Sequence, residues 1–246
     1  MHLMIPLLIT LCLLPQLSGA QAALVDPDYR RQIAALLELP AVRQAFEYIE
    51  AEDSQTVANN ILLNEIPAPP FAEETRAAEF LKMLRAIGVD SAWIDREGNA
   101  IGLRRGREGR RTVALDAHLD TVFPEGTDVS VTVKGDTLFA PGVGDDTRGL
   151  AMVLMVLRAL NEADIRTRDD ILFIGTVGEE GIGDLRGVKH LFRGGGPRID
   201  AWISIDGGAL GRINHKGLGS YRYRVTFKGP GGHSWGAFGL ANPHHA

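Results

Sequence analysis

The sequence predicts an α/β fold: a mixed sheet with helices on both faces, followed by the start of a smaller α+β unit. Three observations carry this expectation. Apolar runs such as "TVALDAH" and "DILFIGTVG" read as strands buried on both faces. Helical stretches, one of them apolar nearly all round, alternate with those runs. Near Lys216 the character changes, and "GSYRYRVTF" alternates strictly, the pattern of an antiparallel strand with one wet face.

The elements follow in order. "MIPLLITLCLLP" is an apolar run of signal-peptide length, too short to span a bilayer comfortably. "QLSGAQA" then offers Ala20 and Ala22 in the small-x-small spacing of a cleavage site. The expected organisation is a signal peptide over 1–22, a catalytic α/β domain over 23–215 and a second unit over 216–246. The mature protein is expected to be exported, to the periplasm or beyond, with no further membrane association. The only cysteine, Cys12, leaves with the signal peptide, so any metal must be held by oxygen and nitrogen.

Residues 27–52 have a helical pattern that Pro40 breaks or kinks. In "AEETRAAEFLKMLRAIG", Ala77, Phe80, Leu81 and Leu84 recur at helical spacing and Gly88 stands where a C-cap belongs. "SAWIDREGNAIGLRR", "RTVALDAH" and the alternating "VSVTVKGDTLFA" read as strands. Between the first two lies "RRGREGRR", Arg104 to Arg111, read as a solvated hairpin tip from its glycines and charge. "RGLAMVLMVLRALNEA" is a buried helix, and "DILFIGTVG" and "DAWISID" complete the sheet.

Composition narrows the function. The chain has 246 residues, a net charge of −5, 45% hydrophobic and 23% charged residues, all ordinary for a globular protein. A mildly acidic chain gives no electrostatic reason to expect nucleic acid as a partner. "GEEGIGDLRG" and "PGVGDDTRG" lack a full G-x-G-x-x-G, and their paired carboxylates would repel a pyrophosphate. No Gly-x-Ser-x-Gly elbow is present.

The suspicious residues gather at strand ends, where α/β sheets bind ligands. His118 and Asp120 follow one strand, Glu179 and Glu180 a second, Asp206 a third; Asp145 and Asp146 sit in a glycine turn before the buried helix. Each end alone has a bland reading as a solvated turn or a helix cap. Four together are costly unless a cation holds them, and one divalent metal or a pair answers that cost.

"HLDTVFPEG", "GVGDDTRG", "GEEG", "SIDGG" and "FKGPGGHSWG" stand in the order found in the co-catalytic zinc exopeptidase and aminoacylase family, which the chain resembles from about residue 60 onward. That family includes peptidase T, acetylornithine deacetylase, succinyl-diaminopimelate desuccinylase and glutamate carboxypeptidase. The resemblance implies two zinc ions, with cobalt or manganese as substitutes. His118 would bind one zinc and Asp120 would orient that histidine. Asp146 would bridge both ions, with a cis peptide after it. Glu180 would bind the second zinc, Asp206 the first, and Glu179 would be the general base. His233 matches the histidine of a lid domain that reaches a partner's site in family dimers.

The chemistry suits these residue types. Paired metals activate water and polarise a carbonyl. A carboxylate beside a ligand can move the proton to the leaving amine. Two departures stand out. Arg148 replaces the family's usual lysine, and the chain resembles an N-terminal portion, with a late histidine ligand expected beyond it. The expected activity is hydrolysis of small peptides, as a di- or tripeptidase or carboxypeptidase, because Asp206 rather than glutamate suits the peptidase branches. An N-acyl-amino-acid deacylase and a non-catalytic metal-binding fragment remain open. The expected partners are a small substrate and a second copy through the lid.

Overall fold

The computed structural model describes residues 26–208 and, beyond them, 211–217, 219, 223, 225–233 and 236. The expected signal peptide lies outside the described residues, as does part of 219–227. Gly219, Tyr223 and 225–227 are described and belong to no strand. No described helix is long and apolar enough to cross a membrane. The chain divides into two compact units, one through Gly208 and one from Ala209.

The first unit is built on five strands: β1 (Ser91–Ile94), β2 (Ala100–Arg104), β3 (Thr112–His118), β6 (Asp170–Thr176) and β7 (Ala201–Ser204). Their order is β1-β2-β6-β3-β7. β3 lies between β6 and β7 and runs parallel to both. β2 pairs antiparallel with both β6 and β1, so the sheet is mixed, as expected. A separate hairpin, β4 (Thr132–Lys134) and β5 (Thr137–Phe139), turns through Gly135 at φ 62°.

Helices cover both faces. On one, α4 (Glu74–Ile87) and α5 (Thr147–Glu162) bury Phe80, Leu84, Leu150, Leu154 and Leu157 against Ala100, Ala117 and Phe173. On the other, the segment from α6 (Arg186–His190) sets Leu191 against Ile101, Ala114, Leu172 and Ile174. Phe173 faces one core and its neighbours Leu172 and Ile174 the other, the strict alternation of a central strand. Burying these side chains contributes roughly 1.5–3 kcal/mol each.

Pro40 begins a helix instead of kinking one. α1 (Pro27–Leu37) ends before it and α2 (Pro40–Ala51) takes it at the first turn, where its missing N–H costs nothing. A third helix, α3 (Asp53–Asn64), was not anticipated. The arginine-rich stretch is no hairpin tip either. β2 and β3 do not pair, because β6 lies between them. Residues 105–111 cross the N-terminal end of β6 and are stitched to it: Arg105 pairs with Asp170 at 3.0 Å and Gly106 N donates to Asp170 Oδ1 at 2.7 Å.

Candidate metal centre

The C-terminal ends of β3, β6 and β7 lie side by side, and the turn before α5 faces them. β3 and β6 are in register to their last residues, with His118 opposite Thr176, so the loops that follow start level. The β6 loop needs Gly178 at φ 66°; a Cβ there would collide with the Arg186 guanidinium. Arg186 is held in turn by Glu73 at 2.8 Å and Glu97 at 3.2 Å.

His118 is buried and fixed at both ring nitrogens. Nδ1 lies 2.9 Å from the Asp120 backbone carbonyl and Nε2 lies 2.8 Å from Asp145 Oδ1. The Nδ1–H donated to that carbonyl leaves Nε2 to face the acids, the tautomer a metal ligand needs. The Asp120 carboxylate stands 3.8 Å from the ring and has a different task. Its oxygens accept the backbone N–H groups of Glu179 at 3.0 Å and Glu180 at 2.8 Å. Asp120 thus orients His118 through its main chain and fixes the Glu179–Glu180 turn through its side chain.

The adjacent aspartates occupy unlike positions. Asp146 is fully buried. Its Oδ1 accepts from Gly149 N at 3.0 Å, capping α5, and its Oδ2 accepts from His118 N at 3.1 Å. The Asp145 side chain is 57% exposed and touches His118 Nε2. The cis peptide is Asp145–Asp146, one residue before the expected Asp146–Thr147 bond. Asp206 hangs beyond β7, with Oδ1 3.8 Å from His118 Nε2.

Two sets of donor atoms each lie within 4.8 Å of one another: His118, Asp146 and Asp206; and His118, Asp145 and Glu180. Carboxylate oxygens with one imidazole nitrogen suit a divalent cation such as zinc and offer it no thiolate. The charges show why a cation is wanted. Burial opposes the charged imidazole, but the Asp145 hydrogen bond and the charges of Asp146, Asp120 and Asp145 drive His118 up to about 10. Burial pushes Asp146 up to about 8. Burial and then the neighbouring acids raise Glu179 and Glu180. The hydrogen bond from His118 holds Asp145 low. Without a metal, the histidine itself carries the positive charge this cluster demands.

Residues 114–234 match the family model described as peptidase family M20/M25/M40. Over that stretch the chain is similar to this family. Carboxypeptidase G2 of Pseudomonas sp. (strain RS-16) is 32% identical over 84 residues, covering 33% of this chain and 20% of that relative. Among solved structures, a tripeptidase from Staphylococcus aureus is similar at 26% identity and a TM-score of 0.51, covering 63% of this chain and 44% of that one. An aminopeptidase PepT from Bacillus cereus is similar at 25% identity and a TM-score of 0.53, with the same coverage. The chain thus spans a fifth of the length of that curated relative, and under half of these structures.

The M20/M25/M40 match begins at Ala114, yet side chains before it brace the centre. Arg76 is fully buried and donates to Leu119 O at 2.6 Å, to Ile66 O at 2.6 Å and to Asn64 O at 3.3 Å. It grips the His118–Leu119–Asp120 segment from behind, and burial lowers it to about 10. Asn99 accepts from Val177 N at 3.0 Å and donates to Gly187 O at 3.1 Å, tying down the β6 loop. Thr147 Oγ1 donates to Asn60 Oδ1 at 2.7 Å, anchoring the start of α5 to α3. Sequence reasoning missed all of these. The available signal was two asparagines, Asn60 and Asn64, four apart and so on one face of a helix. His233 lies in the second unit, exposed, with Nδ1 accepting from Gly236 N at 3.3 Å.

Proposed function

We propose that this chain is the metal-binding part of a zinc-dependent peptidase that hydrolyses small peptides. One observation carries the reading: an imidazole nitrogen and carboxylates from separate loops meet within 4.8 Å at the C-terminal edge of the sheet. His118, Asp145, Glu180 and Asp206 would hold two divalent ions. Asp145 replaces Asp146 in that role because its carboxylate is open, whereas both oxygens of Asp146 are bound to backbone. Bound metal would activate water and polarise the scissile carbonyl.

The remaining tasks fall to the chain's own groups. Glu179 is the general base, taking a proton from the attacking water and giving it to the departing amine. Its burial raises the carboxylate's basicity, which suits that task. Asp120 keeps Glu179 and Glu180 adjacent and distinct. In the intact protein, export, dimerisation through the second unit and a substrate contact from His233 complete the reading.

Equilibrium dialysis against zinc, followed by hydrolysis assays on a dipeptide, a tripeptide and an N-acetyl amino acid, tests this proposal. Zinc-dependent cleavage of a peptide is the expected result. Cleavage of the N-acetyl amino acid alone would make the protein a deacylase. Failure to bind zinc would overturn the proposal. N-terminal sequencing of native protein tests export, with a start near Ala23 expected and an intact Met1 against it.

A further inference from the structure

Beside the candidate ligands lies a cleft of about 610 Å³. Asp145 and Glu180 form one side, and Val122, Phe123 and Val143 supply apolar surface. Arg148 is the single basic side chain on this lining. It sits in the first turn of α5, three residues beyond Asp145.

The state of Arg148 is unusual. A guanidinium has five N–H donors and stays charged at any working pH. Two carboxylates, Asp145 and Glu180, share its cleft, yet none of the ion pairs among the described residues includes Arg148. Its Nε is sealed from solvent and has no hydrogen-bond partner among the described residues. Asp145 spends its contact on His118 instead. Divalent ions on Asp145 and Glu180 would offset those charges, leaving Arg148 as an unanswered cation on the wall. A guanidinium on the cleft wall with no ion-pair partner among the described residues is answered by a ligand carboxylate entering the cleft.

We propose that Arg148 is a carboxylate subsite. The substrate would be a peptide or N-acyl amino acid with its carbonyl at the metal ligands and its side chain against Val122, Phe123 and Val143. Its free carboxylate would rest on Arg148. This rests on the metallohydrolase reading and narrows it: recognition is by an acidic end, not by a free amino end. Arg148 is a specificity-determining residue here, with no part in bond cleavage.

The test uses protein loaded with zinc and its zinc content measured first. Calorimetry then compares N-acetylphenylalanine with N-acetylphenylalaninamide, which differ only in the carboxylate. The acid should bind at least tenfold more tightly, as a charge-assisted contact predicts. Arg148→Met should erase that preference at unchanged zinc content, and Arg148→Lys should keep part of it. If Arg148→Met does not fold, Arg148→Gln answers the same question. Equal affinity of wild-type protein for acid and amide would overturn the proposal. So would a preference that survives Arg148→Met, which would place the carboxylate on the metal. Absence of zinc from the wild-type protein would defeat the metal reading itself, and the zinc measurement separates that failure from the others.

Discussion

Replacing Arg76 by methionine should destabilise the protein by about 3 kcal/mol, the mid-range cost of its lost hydrogen bonds less the relieved burial penalty. The magnitude follows from what the guanidinium touches. Methionine keeps most of the apolar stem but leaves the carbonyls of Asn64, Ile66 and Leu119 without their donor. Each buried acceptor left unpaired costs about 1–3 kcal/mol. Against this, the native state already bears a penalty for burying the charge, because the shift of Arg76 from 12.5 to about 10 corresponds to roughly 3 kcal/mol. Removing the cation relieves that penalty, and the difference is the net loss expected. Lysine can reach fewer of the three carbonyls at once, so Arg76→Lys should fall between wild type and Arg76→Met. Urea unfolding at pH 7 in the presence of a chelator measures this without metal linkage. A loss under about 1 kcal/mol for Arg76→Met would refute the claim that this side chain holds the His118–Asp120 segment in place.

Glu179→Gln should lower turnover by about 10²-fold or more while zinc content stays unchanged, as a general base predicts; loss of zinc would exchange the roles of Glu179 and Glu180. Asp145→Ala should leave the fold intact and abolish tight zinc binding. Asp146→Ala should instead cost about 1–3 kcal/mol of stability, since it removes the α5 cap and the acceptor for His118 N; thermal melts and metal analysis of the pair decide between them. Burial raises Asp116 to about 6 from 3.8, so the folded state keeps a proton that the unfolded chain releases. Metal-free protein should therefore lose stability as pH rises from about 4 through 6, and Asp116→Asn should flatten that slope in unfolding curves recorded across the window.

The strands and ligand-bearing loops were legible because each apolar run ends abruptly in glycine and acid, as "TVALDAH" and "DILFIGTVG" do. Fold class followed from alternation alone. What escaped were features fixed by partners distant in sequence. α3 was hidden because its buried positions include Asn59, Asn60 and Asn64, which look solvent-facing until Thr147 and two backbone carbonyls are found against Asn60 and Asn64. The stretch 105–111 has the composition of a tight turn, and only the insertion of β6 between β2 and β3 makes it a crossover. Asp145 and Asp146 are equal in a sequence, and their difference in exposure arises from which one meets the backbone of β3 and α5.

The placement of β7 bears on how a metal would come and go. His118 ends β3 and is gripped at both nitrogens, and the Glu179–Glu180 backbone is pinned by Asp120. Asp206 hangs from a four-residue strand that, among the described residues, pairs only with β3, and its side chain is 58% exposed. Donors this unequal in rigidity would not release an ion together. Asp206 would let go first and His118 last, so the exchange rate of the ion nearest β7 would be governed by fraying of that one short edge.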